Sequence, residues 1–297
     1  MQAICGRHRR IWWGLIATAV IASPQANAHD FWLQAERFRL QPGEIADISP
    51  MVGHGPDRRR WAADPRRIVE LRSVGPAGLV DYFPAGVPVR SGQSIRLAFQ
   101  PAGVHVLGLA TDHARSELPS DRFAHYLEEE GMDAALAERR HRGEDERPGR
   151  EIYSRCAKVI LQVANTGQVG ASTTRQLGLK LEIAPERDPR QPDGRAVPLR
   201  VYYEGKPLAG ALVKLWRLDA YGGPYMTQRT DGMGRVLMPS PQPGVWQFNV
   251  VWTKRLEGHA WADFDTTFSS LPSTSPRFEP ALKTHLFGQP RNERRLA

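Results

Sequence analysis

The residues whose types best suit chemistry are two histidines near the front of the chain, His29 and His54. His29 follows Ala26-Asn27-Ala28, a small-x-small tripeptide of the kind at which secretory leaders are cut. Cleavage after Ala28 would make His29 an amino-terminal residue that offers an α-amine and an imidazole nitrogen together. The two can chelate one ion, and a second imidazole completes a three-nitrogen set. Tetragonal nitrogen geometry suits Cu(II) or Ni(II). His54 is the expected partner, because Gly53 and Gly55 flank it and let backbone approach closely. His105 and His259 are weaker partners. The expected metal site is therefore His29 with His54, holding one divalent ion, Cu or Ni. The competing reading makes His29 the start of an edge strand and His54 a loop residue bonded to backbone.

Other reactive types point less far. Cys156 lies between Arg155 and Lys158, and cationic neighbours can lower a thiol pKa. Its apolar, strand-like surroundings favour a buried structural thiol. Arg58-Arg59-Arg60-Trp61 could bind an anion or a carboxylated metal chelate, although Asp57, Asp64 and Glu70 balance that charge. There is no His-Glu-x-x-His, Gly-x-Ser-x-Gly, phosphate-cradling Gly-x-x-x-x-Gly-Lys or Cys-x-x-Cys. No residue is assigned a catalytic role.

The leader that would expose His29 is legible in residues 1–28. Arg7, Arg9 and Arg10 form a positive start, and Ile11 to Ala22 is an apolar run too short to span a bilayer. Arg9-Arg10 matches a twin-arginine signal only in part, which leaves Sec and Tat export both open. Removal of the leader also removes Cys5, so Cys156 would stand alone in an oxidising compartment. The net charge of +8 is concentrated at the ends. Three basic residues and no acid fall in 1–28, and five basic residues face two acids in 271–297. That leaves +2 for residues 29–270, poor material for a phosphate footprint, and nucleic acid is not an expected partner. No later stretch is long and apolar enough for a transmembrane segment.

The elements that must position these residues read as mainly β. Strand candidates fall at 35–52, 68–73, 79–83, 94–99, 104–110 and 155–164, punctuated by Gly and Pro in the rhythm of a sandwich. Residues 53–67 read as a loop. Helical spacing of Phe123, Tyr126 and Leu127, with Ser120 as a cap and Gly131 as a stop, predicts a helical insert at 120–142. Its acidic Glu128-Glu129-Glu130 and basic Arg139-Arg140-x-Arg142 read as a solvated hairpin. Residues 143–150 read as a charged loop and 167–174 as a linker. Strands then resume at 179–183, 199–203, 211–218, 235–238 and 245–251, with Trp246, Phe248 and Trp252 on a buried face. The expected organisation is a signal peptide at 1–28, an N-terminal β domain at 29–170 and a transthyretin-like or Ig-like sandwich at 175–270. A disordered tail is expected at 271–297. The fold class is two β-sandwich-like domains with a short helical insert in the first.

Several segments carry a resemblance. These are His29-Asp30-Phe31-Trp32-Leu33, Gly53-His54-Gly55 and Asp64-Pro65-Arg66-Arg67-Ile68. Arg122-Phe123-x-x-Tyr126-Leu127-x-Glu129-Glu130-Gly131 follows, then Gly149-Arg150-Glu151-Ile152-Tyr153-Ser154-Arg155-x-Ala157-Lys158. In this order they resemble the bacterial domain-of-unknown-function family 4198, also labelled NikM-like, across roughly 29–270. The resemblance implies a secreted or periplasmic protein linked to nickel or cobalt uptake, and it brings no catalytic residues. Residues 197–252 are separately similar to the transthyretin-like, carboxypeptidase-regulatory-like sandwich, through Gly205-Lys206-Pro207-Leu208-x-Gly210-Ala211 and Thr230-Asp231-x-x-Gly234-Arg235.

The function expected is a periplasmic binding protein in the uptake or handling of nickel, cobalt or copper. Its partners would be a metal ion or small metal chelate and an envelope transport component. Two alternatives stand beside it: an envelope interaction module without metal, and a mononuclear copper enzyme.

Overall fold

A computed structural model describes residues 30–62, 64–83, 93–164, 171–190, 194–240 and 243–274. The expected signal peptide, His29 and most of the expected tail lie outside the described residues. In chain order the first strands are β1 (Asp30–Ala35), β2 (Arg39–Leu40), β3 (Ile45–His54), β4 (Asp57–Arg60) and β5 (Ile68–Gly75). They are followed by β6 (Gly78–Asp81), β7 (Ile95–Ala98), β8 (Gly103–Thr111) and β9 (Ala114–Leu118). Helices α1 (Ser120–Glu129) and α2 (Asp133–His141) come next. The second half holds β10 (Gly149–Val163), β11 (Leu181–Pro185), β12 (Val197–Tyr203), β13 (Lys206–Pro207) and β14 (Leu212–Arg217). It ends with β15 (Met226–Arg229), β16 (Arg235–Met238), β17 (Val245–Arg255) and β18 (Phe264–Thr274).

The fold is mainly β and has three layers. The middle layer is a ten-stranded sheet in the order β15-β14-β17-β18-β10-β8-β5-β6, with β2 and β9 also pairing β10. Strands β1, β3, β4 and β7 form a second sheet, and β11, β12, β13 and β16 a third. Side-chain alternation explains how one sheet serves two cores. On β8, Val104 and Val106 enter one apolar cluster, while Leu107 and Leu109 enter another. On β10, Cys156 and Ile160 face the first cluster, and Ala157, Val159 and Leu161 the second. The first cluster packs against β11, β12 and β16, and the second against β1 and β3. A third cluster joins the helices to Val251, Phe264 and Phe268.

The two sandwiches therefore share their central sheet. Strands from both sides of the boundary expected at 170–175 lie in it, because β10 pairs β18 in parallel from Glu151↔Phe264 to Ala157↔Ser270. A buried ion pair crosses the same boundary. Lys158 Nζ lies 2.9 Å from Glu182 Oε1, with both side chains 1% exposed. Glu182 also accepts from the backbone N–H groups of Leu177, Gly178 and Leu179. Both charges are thus compensated in the interior, as burial requires.

Several local expectations are corrected. The loop expected at 53–67 contains β4, folded back on β3 through a turn at Gly55-Pro56, with His54 paired to Asp57. Ser120 does not cap α1; Pro119 holds that position without a side-chain bond. The hairpin is not fully solvated, because Glu130 and Arg139 are buried. Strand β10 begins at Gly149, six residues ahead of the expected strand. Residues 171–174 form a short 3-10 turn with Ser172 and Thr173 buried, not an exposed linker. Strand β18 runs to Thr274, past the expected start of the tail.

Candidate functional site

His54 ends β3 at the point where β1 begins. The antiparallel register pairs Asp30 with Gly53, so His54 extends one residue beyond the first described residue of β1. Its turn needs glycine on both sides. Gly53 has φ +135° and Gly55 φ +49°, and a Cβ on Gly55 would lie 2.6 Å from the Ala220 carbonyl oxygen. Arg58 locks the turn by donating to the carbonyls of Gly55 and Leu218. This role as a backbone clamp replaces the anion-binding role considered for Arg58.

Around His54 stand charged groups from three other elements. Its Nδ1 is 3.7 Å from Asp30 Oδ2, an ion-pair separation longer than a hydrogen bond. Glu130 follows the last turn of α1, and its Oε2 is 2.6 Å from Lys214 Nζ on β14. Asp30, Glu130 and Lys214 are all buried, whereas the His54 side chain is 42% exposed. The Trp216 ring lies 5.8 Å from the His54 ring. The group sits in a seam on one face of the central sheet, where the β1–β3 sheet meets the helical insert.

The electrostatics follow from that arrangement. Two carboxylates, Asp30 and Glu130, face the Lys214 ammonium and the His54 imidazole. Interaction with Asp30 raises the pKa of His54 above the ordinary imidazole value and Glu130 adds to this, against burial and the Lys214 charge. Burial is the first cause raising the pKa of Glu130, opposed chiefly by Lys214.

The floor of the seam is made by β14, β17 and β18. Lys214 pairs with Asn249 and Trp216 with Gln247 across one ladder. Asn249 pairs with Ser270 across the next. Ser270 Oγ donates to the Phe31 carbonyl at 2.6 Å, which pins the start of β1 over this floor. Gln247 and Asn249 are fully buried, and neither the nitrogen nor the oxygen of either amide has a hydrogen-bond partner among the described residues. Trp216 Nε1 is likewise unpartnered there.

The other candidates are placed elsewhere. His105 is buried, with Nε2 2.8 Å from the Pro101 carbonyl, and burial lowers its pKa. His259 Nδ1 accepts from the backbone N–H groups of Trp261 and Ala262, so it closes a turn. Cys156 is buried, and burial pushes its thiol up to about 12, which removes it as a nucleophile. Among the described residues no group of three His, Cys, Asp or Glu side chains could hold a metal ion. Sequence reading singled out His54 through its glycines, which do shape its turn. It did not find Asp30, Glu130, Lys214, Asn249 or Gln247, whose convergence depends on strand order.

The sequence matches a family described as "Domain of unknown function (DUF4198)" over residues 26–254. The chain belongs to that family. The match includes β1, the His54 turn, the helical insert and most of β17, and so all of the seam except Ser270. No curated protein matches the chain. A solved structure titled "D0-D1 domain of Intimin" is 12% identical, with 83% of this chain and 98% of that chain covered, at a TM-score of 0.20. Another, titled "Biofilm associated protein - BSP domain", is 9% identical, with 82% of this chain and 29% of that chain covered, at 0.18. Likeness at these scores says nothing about function. No helix among the described residues is long and apolar enough to cross a membrane.

Proposed function

We propose that this member of the family is an envelope protein that binds one divalent transition-metal ion, Cu(II) or Ni(II), in the uptake or handling of that metal. The site forms once a leader is removed after Ala28. The ligands are the α-amine and imidazole of His29 and the imidazole of His54. One observation carries the reading: the register that ends β1 and β3 together. Asp30 pairs with Gly53, so the residue before Asp30 is tethered within one Cα step, 3.8 Å, of a strand end that lies beside His54. Asp30 faces Nδ1 of His54, 3.7 Å away. A carboxylate behind a ligating imidazole fixes its orientation and raises its basicity.

The test uses the chain made by native secretion, so that its first residue is set by the cell, and titrates it with Cu(II) and Ni(II). One equivalent should bind. A methionine placed ahead of His29 converts the amine to an amide and should weaken binding by about tenfold or more, as should His54→Ala. Equal affinity in all three proteins would remove the metal reading. An amino terminus other than His29 would do the same.

A further inference from the structure

A cleft of about 370 Å³ opens beside the loop 143–148, between β9 and the segment that leads into β18. One of its walls carries a charge that the fold buries without neutralising. Arg139, in the last turn of α2, is 2% exposed, and among the described residues no carboxylate lies within ion-pair distance of it. Its Nη2 donates to the carbonyls of Glu144 and Arg147, at 2.7 and 2.6 Å, which shapes the loop. The Phe123 ring centroid lies 5.0 Å from its guanidinium carbon and covers one face. Nε and Nη1 are left without an acceptor among the described residues. A buried guanidinium is costly without an anion, and its planar fork of donors matches a carboxylate.

The other charges around the cleft say what else the ligand must carry. Arg150 is already engaged by Asp263, at 3.2 and 3.0 Å, and Glu144 by Arg255 at 2.6 Å. Arg147 and Glu117 also line the cleft, and neither has an ion-pair partner among the described residues. At the rim, Arg115 stacks over Trp261, 5.1 Å from the ring centroid, while the loop carries Asp145 and Glu146. Unpaired cations and anions therefore balance. A phosphate or other simple anion would meet as many carboxylates as guanidinium groups. A molecule with one charge of each sign would meet both in the favourable sense. The Trp261 ring offers its uncharged part an aromatic wall. We propose that this cleft binds a small zwitterion, a free amino acid or short peptide, with its carboxylate on Arg139 and its ammonium on Glu117. The site shares no residue with the His54 seam and needs no metal.

The full chain is titrated calorimetrically, in chelator, with the common L-α-amino acids and with glycyl dipeptides, which distinguishes the two sources. At least one compound should bind with a millimolar or tighter Kd. The tightest is then compared with its methyl ester, which lacks the carboxylate, and with its N-acetyl form, which lacks the ammonium. The ester should bind about tenfold more weakly, because it loses a charge-assisted contact with a buried group. The N-acetyl form should bind about threefold more weakly, because Glu117 is exposed. Glu117→Gln should weaken the zwitterion as N-acetylation does and leave binding of the N-acetyl form unchanged. A role for Glu117 in the fold alone would not give that pattern. Arg139→Lys should reproduce the effect of the ester, since an ammonium cannot present the same fork. If that variant does not fold, the ester comparison decides the point. Absence of binding by every compound up to roughly 10 mM overturns the proposal. So does equal binding of the ester, or a Glu117→Gln chain that binds the zwitterion as tightly as the parent.

Discussion

At the scale of single residues, the buried ionisable groups do different work, and sequence reading separated them poorly. Glycines flanking a histidine are visible in a string of letters, and His54 was legible for that reason. Glu130 was not, because it ends a run of three glutamates of which only the last turns inward to Lys214. Glu151 was hidden by the same logic, lying at the start of β10 and 3% exposed. Burial pushes its carboxyl up to about 7, with the Thr266 and Ser116 hydroxyls opposing the rise. The consequence for stability has a definite sign. Below about 4.5 the carboxyl is protonated in both folded and unfolded chains, and its contribution is fully present. Between that value and about 7 only the unfolded chain ionises, so stability falls as pH rises; above the folded value the loss is complete. Glu151→Gln should remove this slope and leave the variant more stable than the parent at pH 8 by on the order of 2–3 kcal/mol. Urea unfolding of both proteins at pH 5 and pH 8 measures it. A parent-minus-variant difference that does not change with pH would show that Glu151 does not stay protonated in the fold.

At the scale of elements, the strands with apolar alternation were readable and the short polar ones were not. Val104 to Ala110 announced β8, and Val245 to Val251 announced β17. By contrast β4, Asp-Arg-Arg-Arg, has no apolar residue, and its membership of a sheet comes wholly from pairing with β3. Strand β15, Met226–Arg229, is exposed at every position and is defined only by β14. The helical insert was legible from its spacing, but its attachment was not. That attachment depends on Gly149, where β10 passes under the Phe123 ring. A Cβ there would lie 2.0 Å from Phe123 Cγ. Phe123 is fully buried, with Phe264 and the Arg139 guanidinium against its ring, so it cannot swing aside. Gly149→Ala should therefore lift α1 from the sheet and cost about 1–3 kcal/mol, the usual cost of overpacking. A lower denaturant midpoint with faster proteolysis at 143–148 is the expected result. An unchanged midpoint would mean that the insert is held by other contacts.

At the scale of the whole molecule, the sequence shows two sandwich rhythms separated by a small, polar stretch, and from that pattern a pair of independent domains is the natural expectation. Strand order cannot be read from alternation alone, and it is strand order that joins the halves. Strand β18, the last among the described residues, lies between β17 of its own half and β10 of the other. Without β10, one edge of β18 from Phe264 to Ser270 loses its ladder. The same cut strands Glu182, which is 1% exposed and has Lys158 as its ion-pair partner. Removing one member of a buried pair leaves a charge in the interior and costs about 3–5 kcal/mol, a large fraction of a domain's net stability. A fragment of residues 175–274 should thus fail to unfold cooperatively, where the sequence alone suggests that it would. Lys158→Ala in the full chain isolates one part of that cost. It should lower stability by about 3 kcal/mol or more, while Lys158→Met paired with Glu182→Leu should recover much of the loss in packing, less the three backbone N–H groups that Glu182 accepts from. Calorimetry of the fragment and the two variants decides the matter. A single sharp transition in the isolated fragment would show that the halves are separable and that the shared sheet is a docking contact between them.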